Sequence, residues 1–253
     1  MHLPEKSIIF AHSDVGLALT KYLANNYLED LLQVVFLEED SDIYRYAKNP
    51  GIGVCVFGSD TYNNFIATQE FDTGFLVWWP RIIPKELFTK AKDGFINTHP
   101  SLLPYCQGKH YNFWTIVEDC PFGVTLHYVN EGIDKGDVIY QKEIKYDWRD
   151  TGETLFKRAG LEMVSLFKEF YPLYRKGELR RVKQDSGQGS FHHSSELDAA
   201  SRLDLSKKYL LKDILNLLRA RTFEGHPSCS FEDTSTDKHY EVRISITEKD
   251  TSL

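Results

Sequence analysis

The sequence predicts an α/β protein: a mostly parallel sheet with helices on both faces, followed by a small helix-and-hairpin unit. Three observations predict it. Short apolar runs alternate with amphipathic stretches through the first half of the chain. Those runs are apolar along nearly their whole length, as strands covered on both faces must be. Past a polar stretch at residues 184–190 the pattern changes to one helix and two strand-like segments. With 253 residues, the chain is long enough to bury a core without disulfides or metals.

Ser7-Ile8-Ile9-Phe10-Ala11 reads as a buried strand. Asp14 is the expected cap of the next segment, where Val15, Leu17, Leu19, Tyr22 and Leu23 recur at mostly helical spacing. A second strand is predicted over 32–37, followed by an acidic turn over 38–42. Two glycine-bounded strands, 53–58 and 74–79, enclose a helix predicted over 62–70. Pro84 opens a helix predicted to run through Leu87 and Phe88 to Lys92, since proline is favoured at a first helical position. Phe95-Ile96-Asn97 is a further strand, and a proline-punctuated loop over 100–108 leads into a helix near 111–118. Strands over 123–129 and 137–144 flank a tight loop. Thr151 reads as the cap of a long helix ending near Lys176-Gly177, whose stripe of Leu155, Ala159, Met163, Leu166, Phe170 and Leu173 is spaced for core packing. Residues 184–190 read as a linker or exposed loop. Beyond it come a helix near 210–219 and two strands, 228–231 and 240–246, joined as a hairpin by the turn-rich 233–237. The expected division is a domain over 1–180 and an extension over 181–253.

A formal net charge of -7 argues against a protein whose main task is gripping a phosphate backbone. It leaves room for a local basic pocket serving one or two phosphates. No apolar run approaches the roughly 20 residues that cross a bilayer, so no membrane partner is expected. The start, Met1-His2-Leu3-Pro4-Glu5-Lys6, lacks the features of an export signal, and a cytoplasmic location is expected. Cys55, Cys106, Cys120 and Cys229 form no CxxC pair and read as reduced thiols. His192, His193, His226 and His239 form no ligand pattern, and no metal is expected.

The chain lacks GxGxxG after its first strand, where Ala11-His12-Ser13-Asp14 stands, and it lacks Walker A, HExxH and GxSxG motifs. Hydride transfer on a dinucleotide fingerprint and nucleotide-driven phosphoryl transfer lose weight accordingly. What stands out is Phe95-Ile96-Asn97-Thr98-His99-Pro100-Ser101-Leu102-Leu103-Pro104. Asn97 and His99, two apart where a strand ends, project to the same side. An amide that stabilises an oxyanion beside an imidazole that moves a proton suits acyl-group chemistry. Further on, Asn130-Glu131-Gly132-Ile133-Asp134-Lys135-Gly136-Asp137 presents carboxylates in a tight loop, and a carboxylate beside His99 would orient it and hold its charge.

The Asn-x-His-Pro-Ser-Leu-Leu-Pro element, the Gly-Val-Thr-Leu-His strand and Gly-Ile-Asp-Lys-Gly-Asp, in that order, resemble the folate-dependent formyltransferases over roughly residues 7–177. The resemblance implies a Rossmann-like sheet, with 10-formyltetrahydrofolate as cosubstrate and formyl transfer to an amine. It puts the catalytic asparagine, histidine and aspartate on Asn97, His99 and Asp134; Asp137 is read as structural. It implies a pterin pocket lined by Trp78, Trp79, Arg81 and Ile83 on one side and closed by Asn130 and Gly132 on the other.

Residues 108–114 and 217–223 look like the branch acting on nucleotide-linked amino sugars, with a C-terminal hairpin used in dimerisation. That resemblance implies a homodimer, a dTDP-linked amino-dideoxyhexose as substrate and a role in O-antigen or other surface polysaccharide synthesis. The 4-amino-4,6-dideoxyglucose derivative is favoured, with the 3-amino sugar or another small amine as alternatives. Lys109, Arg219 and Arg221 are candidates for the pyrophosphate, and Tyr111, Trp114 and Phe223 for base or sugar. The non-enzymatic alternative is a folate or nucleotide-sugar binding module.

Overall fold

A computed structural model describes residues 6–39, 41–48, 51–185 and 187–249. Asp40 of the expected acidic turn, Ser186 of the expected linker, and the chain ends at 1–5 and 250–253 lie outside the described residues. The elements run β1 (Ser7–Ala11), α1 (Ser13–Asn26), β2 (Leu31–Phe36), α2 (Asp42–Ala47), β3 (Gly53–Val56), α3 (Asp60–Thr68), β4 (Thr73–Val77), α4 (Lys85–Phe88) and β5 (Gly94–His99). They continue with β6 (Gln107–Gly108), α5 (Tyr111–Val117), β7 (Gly123–Tyr128), β8 (Val138–Glu143), α6 (Gly152–Arg175), β9 (Phe191–His192), α7 (Glu196–Ala200), α8 (Leu211–Ala220), β10 (Cys229–Asp233) and β11 (Lys238–Val242).

The chain forms two compact units. The first comprises the residues through His99 together with Val124–Lys142 and Gly160–Gln184; the second comprises Pro100–Gly123, Glu143–Ala159 and the residues from Asp185 on. In the first unit a seven-stranded sheet has the order β3-β2-β1-β4-β5-β7-β8. The strands from β3 to β5 pair in parallel, and β7 lies antiparallel to β5. The α/β fold with its mostly parallel sheet is as expected. On one face Phe10, Val35, Tyr62, Leu76, Trp79 and Phe95 share a core cluster. Elsewhere Phe75 packs among the α6 rings, with centroids 5.4 Å from Phe167 and 5.8 Å from Tyr171. Burying aromatic rings of this size contributes to stability here.

Side-chain caps start three of the helices. Ser59 and Ser41 cap α3 and α2 by accepting the amides of Tyr62 and Tyr44. The Thr151 hydroxyl accepts the Thr154 amide at 3.3 Å while the Thr154 hydroxyl accepts the Thr151 amide at 2.9 Å, the reciprocal cap expected of Thr151. Two expectations are corrected. The N-cap of α1 is His12, with no side-chain bond; Asp14 lies in the first turn, where its charge complements the helix dipole without capping it. The helix after Pro84 stops at Phe88 rather than Lys92. The amides of Lys92 and Asp93 instead bond the carbonyls of Phe71 and Asp72, which turns the chain into β5.

In the second unit α5 packs against α8, β6 pairs in parallel with β9, and β10 and β11 form the expected antiparallel hairpin. No helix among the described residues is long and apolar enough to cross a membrane.

Candidate active site

Asn97 and His99 both belong to β5 and, two residues apart, share one face of it. Thr98 between them serves the other face, where its hydroxyl donates to the Leu76 carbonyl at 3.1 Å and accepts the Trp78 amide at 2.9 Å. The register with β7 sets His127 directly opposite Asn97 and Thr125 opposite His99. Cross-strand neighbours in such a pair touch, and Asn97 Nδ2 is 3.1 Å from His127 Nε2.

Asp134 arrives on the loop between β7 and β8 and completes the group. Asn97 Nδ2 donates to Asp134 Oδ1 at 3.3 Å, and His99 Nδ1 is 3.4 Å from Asp134 Oδ2. His127 Nε2 is also 3.4 Å from Asp134 Oδ1. The side chains of His99, His127 and Asp134 are only 5%, 3% and 9% exposed, so their electrostatic interactions are little screened. The three residues singled out in the sequence are thus brought together in one cluster, with Asn97 half-buried and the other two side chains nearly enclosed.

His127 is an addition to the set. It stands in the Gly-Val-Thr-Leu-His strand, but local pattern gave it no role. Its Nδ1 lies 2.9 Å from the Tyr128 carbonyl. A carbonyl only accepts, so Nδ1 carries the proton in that contact. In the neutral ring Nε2 is then an acceptor, and it receives the Asn97 amide. His127 therefore orients the Asn97 side chain.

The loop that carries Asp134 is held by unusual backbone. Asp134 has φ 55°, in the left-handed region that non-glycine residues seldom adopt. At Gly136 a Cβ would sit 1.7 Å from the Tyr128 carbonyl oxygen, so only glycine fits. Gln184, expected in a linker, reaches back to this loop. Its Nε2 donates to the carbonyls of Asp134 and Gly136, each at 2.7 Å. No local signal marks Gln184, because its partners lie about fifty residues away in sequence and its neighbours read as polar loop.

Around this cluster, the residues expected at the pterin pocket divide. Trp78 leaves β4 half-buried with φ 53°, a strained conformation for so large a residue. Trp79 and Ile83 belong to the apolar core, Trp79 with its ring centroid 5.3 Å from Phe10. Arg81 is exposed. Asn130 accepts the Gly132 amide at 2.9 Å and so shapes the loop through its own side chain. The neighbouring Glu131 pairs with Lys85.

The six residues expected at the nucleotide sugar all lie in the second unit. Arg219 is buried, and two of its three nitrogens are committed: Nη1 to the carbonyls of Asp147 and Asp150 at 2.7 and 3.0 Å, Nε to Asn216 Oδ1 at 3.0 Å. Lys109 is exposed, and Arg221 pairs with Asp198 at 3.2 Å. Both cations act on His110, whose pKa is lowered first by burial and then by the Arg221 and Lys109 charges. Trp114 is stacked under His192, with centroids 3.7 Å apart. Tyr111 is sandwiched between Phe122 and Phe156, and Phe223 packs on Phe156 and His226. These three aromatics are integrated into the packing of their unit.

Residues 47–167 match the family described as formyl transferase, and residues 196–248 match the N-formyltransferase dimerization C-terminal domain. The chain is 34% identical over 138 residues to methionyl-tRNA formyltransferase of Bacillus cytotoxicus, a match spanning 53% of this chain and 43% of that protein. The match therefore covers less than half the length of that relative. The fold is similar to a 4-N formyltransferase from Francisella tularensis, with a TM-score of 0.82 and 20% identity over 97% of this chain and 99% of that one. It is also similar to the N-formyltransferase of Helicobacter canadensis, solved in complex with folinic acid and dTDP-3-aminofucose, with a TM-score of 0.71 and 21% identity over 90% and 84% of the two chains.

Proposed function

We infer, for a chain that belongs to the formyl transferase family, that it carries a formyl group from 10-formyltetrahydrofolate to the amine of a nucleotide-linked amino sugar. The observation that carries this reading is the cluster of Asn97, His99 and Asp134, with contacts of 3.3 and 3.4 Å. The donor set fits an acyl oxygen: an amide N–H and an imidazole on one strand face, with a carboxylate behind both. The folate supplies the formyl carbon and leaves as the free secondary amine. Asn97 Nδ2, exchanging its 3.3 Å bond to Asp134 for the substrate while keeping that to His127, and protonated His99 donate to the formyl oxygen as it gathers negative charge under attack by the sugar amine. Asp134 holds the charge of His99 and takes part in moving the amine proton towards the departing folate nitrogen. His127 and Gln184 hold the amide and the carboxylate in place.

The favoured substrate is dTDP-4-amino-4,6-dideoxyglucose. Full-length likeness to the 4-N formyltransferase of Francisella tularensis supports the 4-amino position. The dTDP-3-aminofucose bound by the Helicobacter canadensis protein supports the alternative at C3. With Arg219 committed to backbone carbonyls, the pyrophosphate is assigned to Lys109 and Arg221. We read the chain as a homodimer through its C-terminal unit, in keeping with the matched dimerization domain and with Leu210 and Leu211, which are 73% and 72% exposed. The reading places the enzyme in the cytoplasm, supplying formylated sugars for O-antigen or a related surface polysaccharide.

The test is incubation of purified protein with 10-formyltetrahydrofolate and a panel of amines, following tetrahydrofolate release. The panel holds dTDP-linked 4-amino- and 3-amino-dideoxyhexoses and glycinamide ribonucleotide. Release with a sugar nucleotide is expected; release with none of them removes this substrate class.

A further inference from the structure

Besides the cluster of the first unit, one group of chemistry-bearing side chains in the second unit converges on a point. The sulfurs of Cys106 and Cys120 and a carboxylate oxygen of Glu118 all lie within 4.8 Å of one another. The sulfurs are 3.4 Å apart and belong to thiols, well beyond the about 2.05 Å of a disulfide. Cys106 Sγ is 3.8 Å from Glu118 Oε2. We propose that Cys106, Glu118 and Cys120 bind a thiophilic divalent cation of the zinc class, with solvent completing the coordination.

The donors suit that ion. Two thiolates and a carboxylate are ligands that zinc takes, whereas calcium and magnesium want oxygen alone. Zinc–sulfur bonds of about 2.3 Å at a tetrahedral angle would set the sulfurs about 3.8 Å apart. The pair needs to open by only about 0.4 Å to reach that spacing. Cys106 is buried, Cys120 half-buried and Glu118 exposed, so an ion has a path in from the carboxylate side.

Glu118 is oriented from behind. Its Oε1 lies 2.6 Å from His192 Nε2, and its Oε2 accepts the Ser190 hydroxyl at 2.6 Å. His192 is itself fixed by stacking on Trp114 and by Glu196 Oε2, 3.1 Å from Nδ1. Hydrogen-bonded support of this kind is what holds ligating carboxylates in metal sites. The backbone contributes too. Asp119, with φ 52°, turns the chain so that Glu118 and Cys120 face one point, and Cys106 shares the same left-handed conformation at φ 52°.

The thiols are unequal. Donation from Cys106 lowers the pKa of Cys120, while the same pairing and burial raise that of Cys106. Cysteines ligate as thiolates, so binding releases protons. A bound ion would close the segment from Cys106 to Cys120, which contains Lys109, Tyr111 and Trp114, into a single ring.

The probe is cobalt(II), titrated into reduced, untagged full-length protein. A thiolate-to-cobalt charge-transfer absorption saturating at one equivalent, bleached by zinc, is expected. Cys106→Ser and Cys120→Ser should each abolish it. Glu118→Gln, which keeps both sulfurs, should weaken binding about 10-fold or more. If Cys106→Ser fails to fold, Glu118→Gln and protection of two thiols by zinc from a thiol reagent still decide. Absence of the absorption in the reduced wild type, or its persistence in both cysteine variants, overturns the proposal. So does a Cys106–Cys120 disulfide that binds no cobalt once reduced, which would make the two thiols a redox pair.

Discussion

Gln184→Ala separates the support of Asp134 from the chemistry of Asp134. The side chain makes two hydrogen bonds of 2.7 Å, to the carbonyls on either side of the turn that carries the carboxylate. Each is worth about 0.5–1.5 kcal/mol net, so the pair contributes about 1–3 kcal/mol. For a protein of this size each kcal/mol corresponds to about 2–4 °C in Tm. The larger effect is expected in turnover. Asp134 touches His99 and Asn97 at 3.4 and 3.3 Å, and a catalytic group displaced by about 1 Å loses on the order of 10²-fold in rate. The variant should therefore show a kcat lower by about 10- to 100-fold, with smaller changes in KM. Gln184→Glu keeps the size but turns a donor into a carboxylate facing two carbonyls, and it should fare no better than alanine. Thermal unfolding by circular dichroism and tetrahydrofolate release are the assays. Wild-type Tm and kcat in the alanine variant would refute the reasoning. A lowered Tm with unchanged kcat would leave Gln184 a structural clamp with no hold on Asp134. The stability arm stands whether or not the wild type transfers formyl groups.

Asn97→Ala and His99→Ala should each lower kcat/KM by about 10²–10³-fold, the usual loss for one oxyanion donor, with the folded circular dichroism spectrum retained; wild-type turnover in either would sink the assignment. Arg219→Ala should destabilise the fold by about 2 kcal/mol or more in chemical denaturation, because hydrogen bonds from a charged donor are worth about 1.5–3 kcal/mol each; a variant of normal stability that only raised KM for the sugar nucleotide would return Arg219 to the substrate site. His110→Asn keeps a residue that tolerates φ 60° and removes a group whose folded pKa is depressed by burial and by the Arg221 and Lys109 charges. Such a group contributes stability above the unfolded histidine pKa of about 6.5, and that contribution is lost as pH falls towards the folded pKa. Tm measured between pH 7 and 5 should therefore fall less steeply in the variant than in the wild type, and an equal or steeper fall would contradict the assigned shift.

The sheet was legible because its strands are continuous apolar runs, a pattern that burial on both faces imposes. The β1 run, Ser7–Ala11, is buried at every position. Asn97 and His99 were legible because both sit on one short strand, where alternation alone puts them on one face. Asp134 could be placed only through resemblance, since a loop thirty-seven residues from Asn97 carries it back over the strand. His127 and Gln184 were missed for the same reason: their roles come from a cross-strand register and from a contact across the unit, neither of which leaves a local trace. The two-residue strands Gln107–Gly108 and Phe191–His192 are too short for any periodicity to show. At Arg219 the sequence shows a charge but not the two carbonyls that its Nη1 already serves.

Backbone strain ties the first unit's architecture to its chemistry. In the order β3-β2-β1-β4-β5 the chain direction of assembly reverses between β1 and β4. In open parallel sheets ligands bind beyond the carboxyl ends of the strands at such a switch point. Ser13 and Trp78, with φ 61° and 53°, stand just past the ends of those two strands. The His12 amide bonds the Val77 carbonyl at 3.1 Å and holds the two exits together. A strained conformation persists only where its surroundings enforce it, and it clusters at ligand sites. Ala11-His12-Ser13-Asp14, which departs from a glycine-rich phosphate loop in sequence, thus occupies the same place in the fold. Side chains stand here where glycines would let a phosphate approach the backbone, and Trp78 beside them is the proposed wall for the flat ring of the folate. Trp78→Ala should accordingly raise KM for the folate while leaving KM for the sugar nucleotide unchanged. The opposite split would move the folate away from the β1–β4 switch point.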